Sequence, residues 1–163
     1  MNISALIMEI TAVIFAFITV HIYFEKYGYR RTILFFAPLL VSAVLFEGLF
    51  IYLGYFKYVG FNFYLLNVPL AIILYWFGAY YLYLLYKHFG KTWRGRLKAA
   101  LIHFLIDSLI TTPLAIWSGY WVFSTTLFNH YPYLPLPVHF GEVLYGLVFI
   151  IVQEKLDILN SLK

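Results

Sequence analysis

The stretch from Ala99 to Phe123 constrains this chain most. It holds 25 mostly apolar residues, which at helical rise is roughly 37 Å, enough to cross a hydrocarbon core with some tilt. Inside it stand His103, Asp107, Thr111, Thr112 and Pro113. An aspartate near the centre of a spanning helix costs on the order of 3 kcal/mol on insertion scales, and a cost of that size points to a use. His103, Asp107 and Thr111 are spaced by four and four, so an α-helix carries all three on one face. Pro113 cannot donate to the helical ladder and its ring crowds the carbonyl of Leu109, so this region also gains a poorly bonded backbone oxygen.

The rest of the chain agrees with a membrane setting. Apolar residues make up 64% of it, aromatics 23% and charged residues 11%, whereas soluble domains carry about a quarter charged. The expected fold class is all-α, an integral membrane bundle of five transmembrane helices in a single domain over 1–163. Their expected spans are 3–24, 32–52, 63–86, 99–123 and 138–152. No stretch shows the alternating ten-residue pattern of a membrane barrel. There is no cysteine, which excludes disulfide and thiol chemistry. The first span lacks the cationic start and small-residue cleavage site of a signal peptide.

Five crossings put successive loops on alternate sides of the bilayer. One side then receives Lys26, Arg30, Arg31, the basic loop from Lys87 to Lys98, and Lys155 and Lys163; the other receives only Lys57. Ten cations against one place the N-terminus outside and the C-terminus in the cytoplasm by the positive-inside rule. The same asymmetry accounts for the net charge of +4 without nucleic acid as a partner. The expected surroundings are the bilayer of the cell membrane.

That topology gives the intramembrane acids their depths. Glu9, Glu47 and Glu142 fall toward the outer leaflet with His130 and His139 nearby, and Asp107 and His103 lie deeper. A carboxyl group in low dielectric is favoured in its neutral form, which suits a proton donor. Structural readings stand beside this one. Glu9 shares a face with Ala5, Ala12 and Ala16, as a hydrogen-bonding partner in close helix packing would. Glu142 and His139 sit near a helix start, where an acid complements the helix dipole. His103 with Asp107 and His139 with Glu142 have spacings that could present metal ligands, but the pairs belong to different depths, so no metal is expected.

A second region carries a resemblance. Phe46-Glu47-Gly48, then Gly54-Tyr55-Phe56-Lys57-Tyr58, then Asn67-Val68-Pro69-Leu70 and Tyr75-Trp76 resemble the pattern of the carotenoid biosynthesis membrane-protein family, which includes the bacterioruberin-type carotenoid hydratases. Asp107 through Pro113 to Gly119-Tyr120-Trp121 is similar to that family's Asp, Pro and Gly-x-Trp block. The match covers roughly Glu47 to Trp121. The family's late Gly-x-Pro and Asn-Phe-x-Gly-Trp stretch is absent; Leu134-Pro135-Leu136-Pro137 followed by Gly141-Glu142 instead resembles the small membrane-integral lycopene cyclases.

The resemblance implies a membrane-embedded enzyme that hydrates or cyclises the terminal double bond of a long isoprenoid such as a carotenoid precursor, without cofactor. Protonating a trisubstituted double bond makes a tertiary carbocation, for which a protonated carboxylic acid in an apolar slot is a fitting donor. Aromatic faces stabilise such a cation by roughly 0.5–2 kcal/mol each. Glu47 and Asp107 are the chief acid and base candidates, with Glu142 and His103 as further catalytic candidates. Asn67, Tyr75, Trp76, Thr111, Trp117 and Trp121 are the expected substrate-side residues, in a pocket among helices two to five. Trp76 and Trp117 are expected deeper than the interfacial belt, to which Tyr55, Tyr58, Tyr120, Trp121, Tyr131 and Tyr133 are assigned. A non-catalytic subunit of a larger membrane complex and a small proton-coupled transporter are the alternatives, and both a homo-oligomer and partner subunits are compatible with the sequence.

Overall fold

The structure, a computed structural model, describes residues 2–123 and 136–161 and is mostly helical. Three helical stretches, Ile3–Tyr52, Leu70–His88 and Trp93–Trp117, are long and apolar enough to cross a membrane, which marks a membrane protein. The chain divides into two compact units, one of Met1–Gly78 with Ile116–Ser124 and the other of Ala79–Ala115 with Thr125–Lys163.

In the first unit, α1 covers Ile3–Tyr52 and is broken at Gly28, whose φ of 77° and ψ of 172° lie outside helical space. The break reverses the chain. Tyr23 and Phe35 are twelve residues apart, roughly 18 Å along an unbroken helix, yet their ring centroids lie 4.6 Å from each other. Tyr23 also touches Tyr27 and Phe36, so the turn is closed by aromatic packing. Thr32 Oγ1 donates to the Gly28 carbonyl at 2.9 Å. The reversal falls within the charged segment expected between the first two helices, and helix runs up to it from both sides.

Past α1 the chain forms short strands that the all-helical expectation lacks. β1 (Phe56–Tyr58) pairs antiparallel with β4 (Trp121–Phe123), matching Tyr58 with Trp121. β2 (Tyr64–Leu65) pairs with β3 (Val68–Pro69) through a two-residue turn in which Leu66 and Asn67 both have positive φ, 50° and 68°. Two positive φ values are the mark of a type I′ hairpin. For this reason the third helix does not begin at residue 63: α2 covers Leu70–Tyr75, starting directly after Pro69, where a missing N–H costs nothing. A 3₁₀ turn over Trp76–Gly78 follows. Ala43, Val68 and Ile73, all buried, pack α2 against the second half of α1.

The second unit contains α3 (Ala79–His88), α4 (Trp93–Ile106), a π-helical turn over Asp107–Thr111, α5 (Thr112–Trp117) and α6 (Leu136–Ser161). Thr92 Oγ1 caps α4 by accepting from the Gly95 N–H at 3.1 Å, so this helix starts six residues before Ala99, within the basic loop. Its continuation ends at Trp117 rather than at residue 123, and Gly119 follows with φ 77°. A side chain at Gly146 of α6 would meet Leu82 at 3.4 Å and Ala100 at 3.8 Å, so α3, α4 and α6 approach through small residues. Helix also continues beyond 152: Glu154 accepts from Tyr86 and Arg96, and Asp157 from Tyr83 and Lys87, so two acids of α6 clasp α3 and α4.

Nothing lies within 4 Å of where a Cβ at Gly28 would stand, so a larger residue there meets backbone strain rather than a clash. Such a conformation costs a non-glycine residue about 1–3 kcal/mol. Gly28→Val is expected to lose that much stability in denaturant unfolding in detergent; an unchanged midpoint would show that the reversal does not depend on this glycine.

Candidate acid site at Glu47

Glu47, on the second half of α1, is 7% exposed. Its two oxygens are held differently. Oε1 accepts from Trp76 Nε1 at 2.8 Å, and Oε2 accepts from the Tyr58 hydroxyl at 2.8 Å. Trp76 is aimed by the tight turn that follows α2, and its ring lies 5.2 Å from that of Phe46. Tyr58 is held by the β1–β4 ladder, and its ring stacks on Trp121 at 5.6 Å with 16° between the planes. Phe56 meets Trp121 edge-on at 5.2 Å. One carboxyl group is thus held between a phenol from β1 and an indole from the turn after α2, each packed against a further aromatic ring, Trp121 of β4 and Phe46 of α1. Indole N–H can only donate, whereas a phenol both donates and accepts, so this setting allows both the charged and the neutral form of the acid.

Glu9 has a different kind of neighbourhood. Oε1 accepts the backbone N–H groups of Asn62 at 2.7 Å and Phe63 at 2.9 Å, and Oε2 accepts from Asn62 Nδ2 at 3.0 Å. All three are N–H donors, so Glu9 serves as an acceptor that fastens residues 62–63 to α1. Asn62 Oδ1 accepts from the Asn2 N–H at 3.1 Å, adding a second tie. Ala5 and Ala12, fully buried beside it, fit the packing role. A groove of about 350 Å³ borders Glu9 and is lined by Leu6, Ile10, Val13, Phe63 and Leu70 among others. This groove lies between the first half of α1 and the 63–74 segment, not among helices two to five, and none of the expected substrate-side residues lines it.

Asp107 lies half-buried in the π turn. The Thr112 N–H bonds to the Asp107 carbonyl, a step of five residues instead of four. This turn stands where Pro113 withholds its N–H, and π turns of this kind are known at functional sites. The extra residue also changes the acid's partner. Thr112 Oγ1 donates to Asp107 Oδ2 at 2.9 Å, and Thr112 is fully buried, while Thr111 is exposed. The expected His103, Asp107, Thr111 face is therefore corrected to one that uses Thr112. His103 is half-buried one turn before Asp107.

The remaining expected residues occupy varied places. Tyr75 shares a hydrogen bond with Thr11 Oγ1 at 3.0 Å, tying α2 to the first half of α1. Asn67 is exposed in the hairpin turn, a backbone role. Trp117 is 86% exposed and so is not a buried wall. Tyr120 and Trp121, expected in the interfacial belt, are each 8% exposed and belong to the packed interior. Glu142 is half-buried on α6. His130, Tyr131 and Tyr133 lie outside the described residues, as does the side chain of His139. Sequence reasoning missed Tyr58 as a site residue. The signal was there in the alternation of Phe56 and Tyr58 about the exposed Lys57, the period of a strand with one buried face.

Glu9→Ala would strip two backbone N–H groups of their acceptor, each worth about 1–3 kcal/mol when left unsatisfied. It is expected to lower the thermal stability of the purified protein markedly, and Glu9→Gln, which keeps one carbonyl acceptor, to lower it less; equal stability of all three forms would remove the fastening role. No protein-family model, no curated protein and no solved structure matches the chain.

Proposed function

We propose that the chain is a multi-pass protein of the cell membrane that acts by acid catalysis on the end group of a long isoprenoid, such as a carotenoid precursor. The observation that carries this reading is the burial of Glu47 against Tyr58 and Trp76, whose rings pack on Trp121 and Phe46. In hydration, the acid proton adds to the less substituted carbon of the terminal double bond. The π electrons form the new C–H bond, the tertiary carbon becomes cationic, water adds there and a proton returns to the base. In cyclisation, the cation is attacked by a neighbouring double bond and the ring then loses a proton. Aromatic faces suit either cation.

Five crossings are part of the proposal: the two halves of α1, the stretches Leu70–His88 and Trp93–Trp117, and the apolar part of α6. With the N-terminus outside, the cations divide ten to one in favour of the cytoplasm. Asp107, paired with the Thr112 hydroxyl, is the second candidate acid or base on its own chemistry. Residues of this chain alone supply the proton chemistry, with no metal or nucleotide as a reactant.

Expression in a host that makes lycopene is expected to yield a pigment heavier by one water, or an isomer of unchanged mass. Glu47→Gln, which keeps the shape and loses the acid, should lower its yield by about 10²-fold or more, the scale of general acid catalysis. Full yield from Glu47→Gln would remove Glu47 from the chemistry. No new pigment, with the chain instead recovered in a complex of defined membrane subunits, would replace the enzymatic reading altogether.

A further inference from the structure

We infer that Tyr58 is the positioning residue that holds the catalytic proton on Oε2 of Glu47, the oxygen that the Trp76 indole leaves for it. The inference rests on the acid-catalytic reading above and deepens it. Trp76 Nε1 stands 2.8 Å from Oε1 and has no lone pair to offer a proton. The better acceptor of a neutral acid is its carbonyl oxygen, so the indole N–H keeps Oε1 in that role and the acid proton belongs on Oε2. Facing Oε2, at 2.8 Å, is the Tyr58 hydroxyl. A hydroxyl rotates. It donates to Oε2 when Glu47 is a carboxylate and accepts from Oε2 when Glu47 is an acid, so both states are bonded without movement of a heavy atom.

Tyr58 is also held in place from several directions. Its strand is registered with β4, and the next residue, Val59, donates its N–H to the Tyr120 carbonyl at 2.9 Å. Its ring is stacked on Trp121 and meets Phe56 edge-on at 5.3 Å and Phe61 at 6.1 Å. A phenol fixed this firmly sets a direction for proton release. The proton leaves Oε2 for the alkene carbon, the alkene π pair becomes the C–H bond, and the carboxylate left behind receives the Tyr58 O–H as donor. The proton set free when water adds, or when the cyclic cation loses hydrogen, goes back to Oε2. Tyr58, whose ring is stacked on Trp121, lies on the Oε2 side of the acid.

The test reads the acid itself as well as its product. In infrared spectra of the purified protein in detergent, at a pH low enough to protonate carboxyl groups, the C=O stretch of Glu47 is the band lost in Glu47→Gln. It is expected to move in Trp76→Phe, which removes the donor to Oε1, and also in Tyr58→Phe, which removes the acceptor of the Oε2 proton. Pigment yield from Tyr58→Phe should fall by about 10²-fold, the scale on which a misplaced catalytic group costs rate, with its pH profile altered. A band that moves in Trp76→Phe and stays in place in Tyr58→Phe overturns the inference. If both bands move but the unaltered chain makes no new pigment, Tyr58 does hold the Oε2 proton, and it is the enzymatic reading that falls. Should Tyr58→Phe fail to fold, fluorinated tyrosine in the otherwise unaltered chain changes the acidity of the hydroxyl and must move the same band.

Discussion

A polar group carried into hydrocarbon finds no water, so its partners have to come from the chain that carries it. This one constraint decides where the acids of the protein come to rest. Glu9 meets the backbone of residues 62–63, Glu47 meets Tyr58 and Trp76, and Asp107 meets Thr112. The bonds of Glu9 and the Glu47–Trp76 bond join segments that are remote in sequence. In a bilayer, where apolar burial drives helices together only weakly, such bonds supply much of the specificity that a hydrophobic core supplies in water. Thr19 departs from the pattern, its hydroxyl fully buried without a hydrogen-bond partner among the described residues.

The contrast between Glu9 and Glu47 shows how surroundings assign different work to the same side chain. Glu9 faces only N–H groups, two of them from backbone that cannot turn away. Its bonds require an acceptor and resist any change of state. Glu47 has a fixed indole donor and a rotatable hydroxyl among its partners, so these two bonds survive the gain or loss of a proton. Burial is nearly the same for the two, 5% and 7% exposed, and so cannot be what separates a fastening from a reactive group. The difference lies in what their neighbours can do.

Much of the helical layout could be read from the sequence because long apolar runs and charged turns are strong signals. The reversal at Gly28 falls inside the segment Glu25 to Arg31, and the weak point announced by Pro113 is present as a π turn. Where reading failed, the cause was local geometry without a periodic trace. Strands of two or three residues show at most one step of alternation, as Phe56 and Tyr58 do about Lys57, too little to outweigh the helical and turn signals around them, so β1 to β4 passed for turns and helix. Positive φ at Leu66 and Asn67 has only Asn as its sequence hint. The exchange of Thr111 for Thr112 follows from one inserted residue, which turns the rest of the helix by about 100°. Tyr58 and Trp121 were assigned to the interface because Tyr and Trp are common there; only the pairing of β1 with β4 brings them inward.

That pairing also orders events in time. Tyr58 and Trp121 are partners across a ladder whose strands are separated by more than sixty residues of chain. A ribosome delivering this protein residue by residue must release β4 before the ladder can close, and closing so long a loop is slow compared with forming a helix. Glu47 and Trp76 are synthesised well before that moment. During biogenesis the acid therefore spends a period with its indole partner at hand and its phenol not yet secured, and the finished environment of the carboxyl group is among the last parts of the first unit to be built.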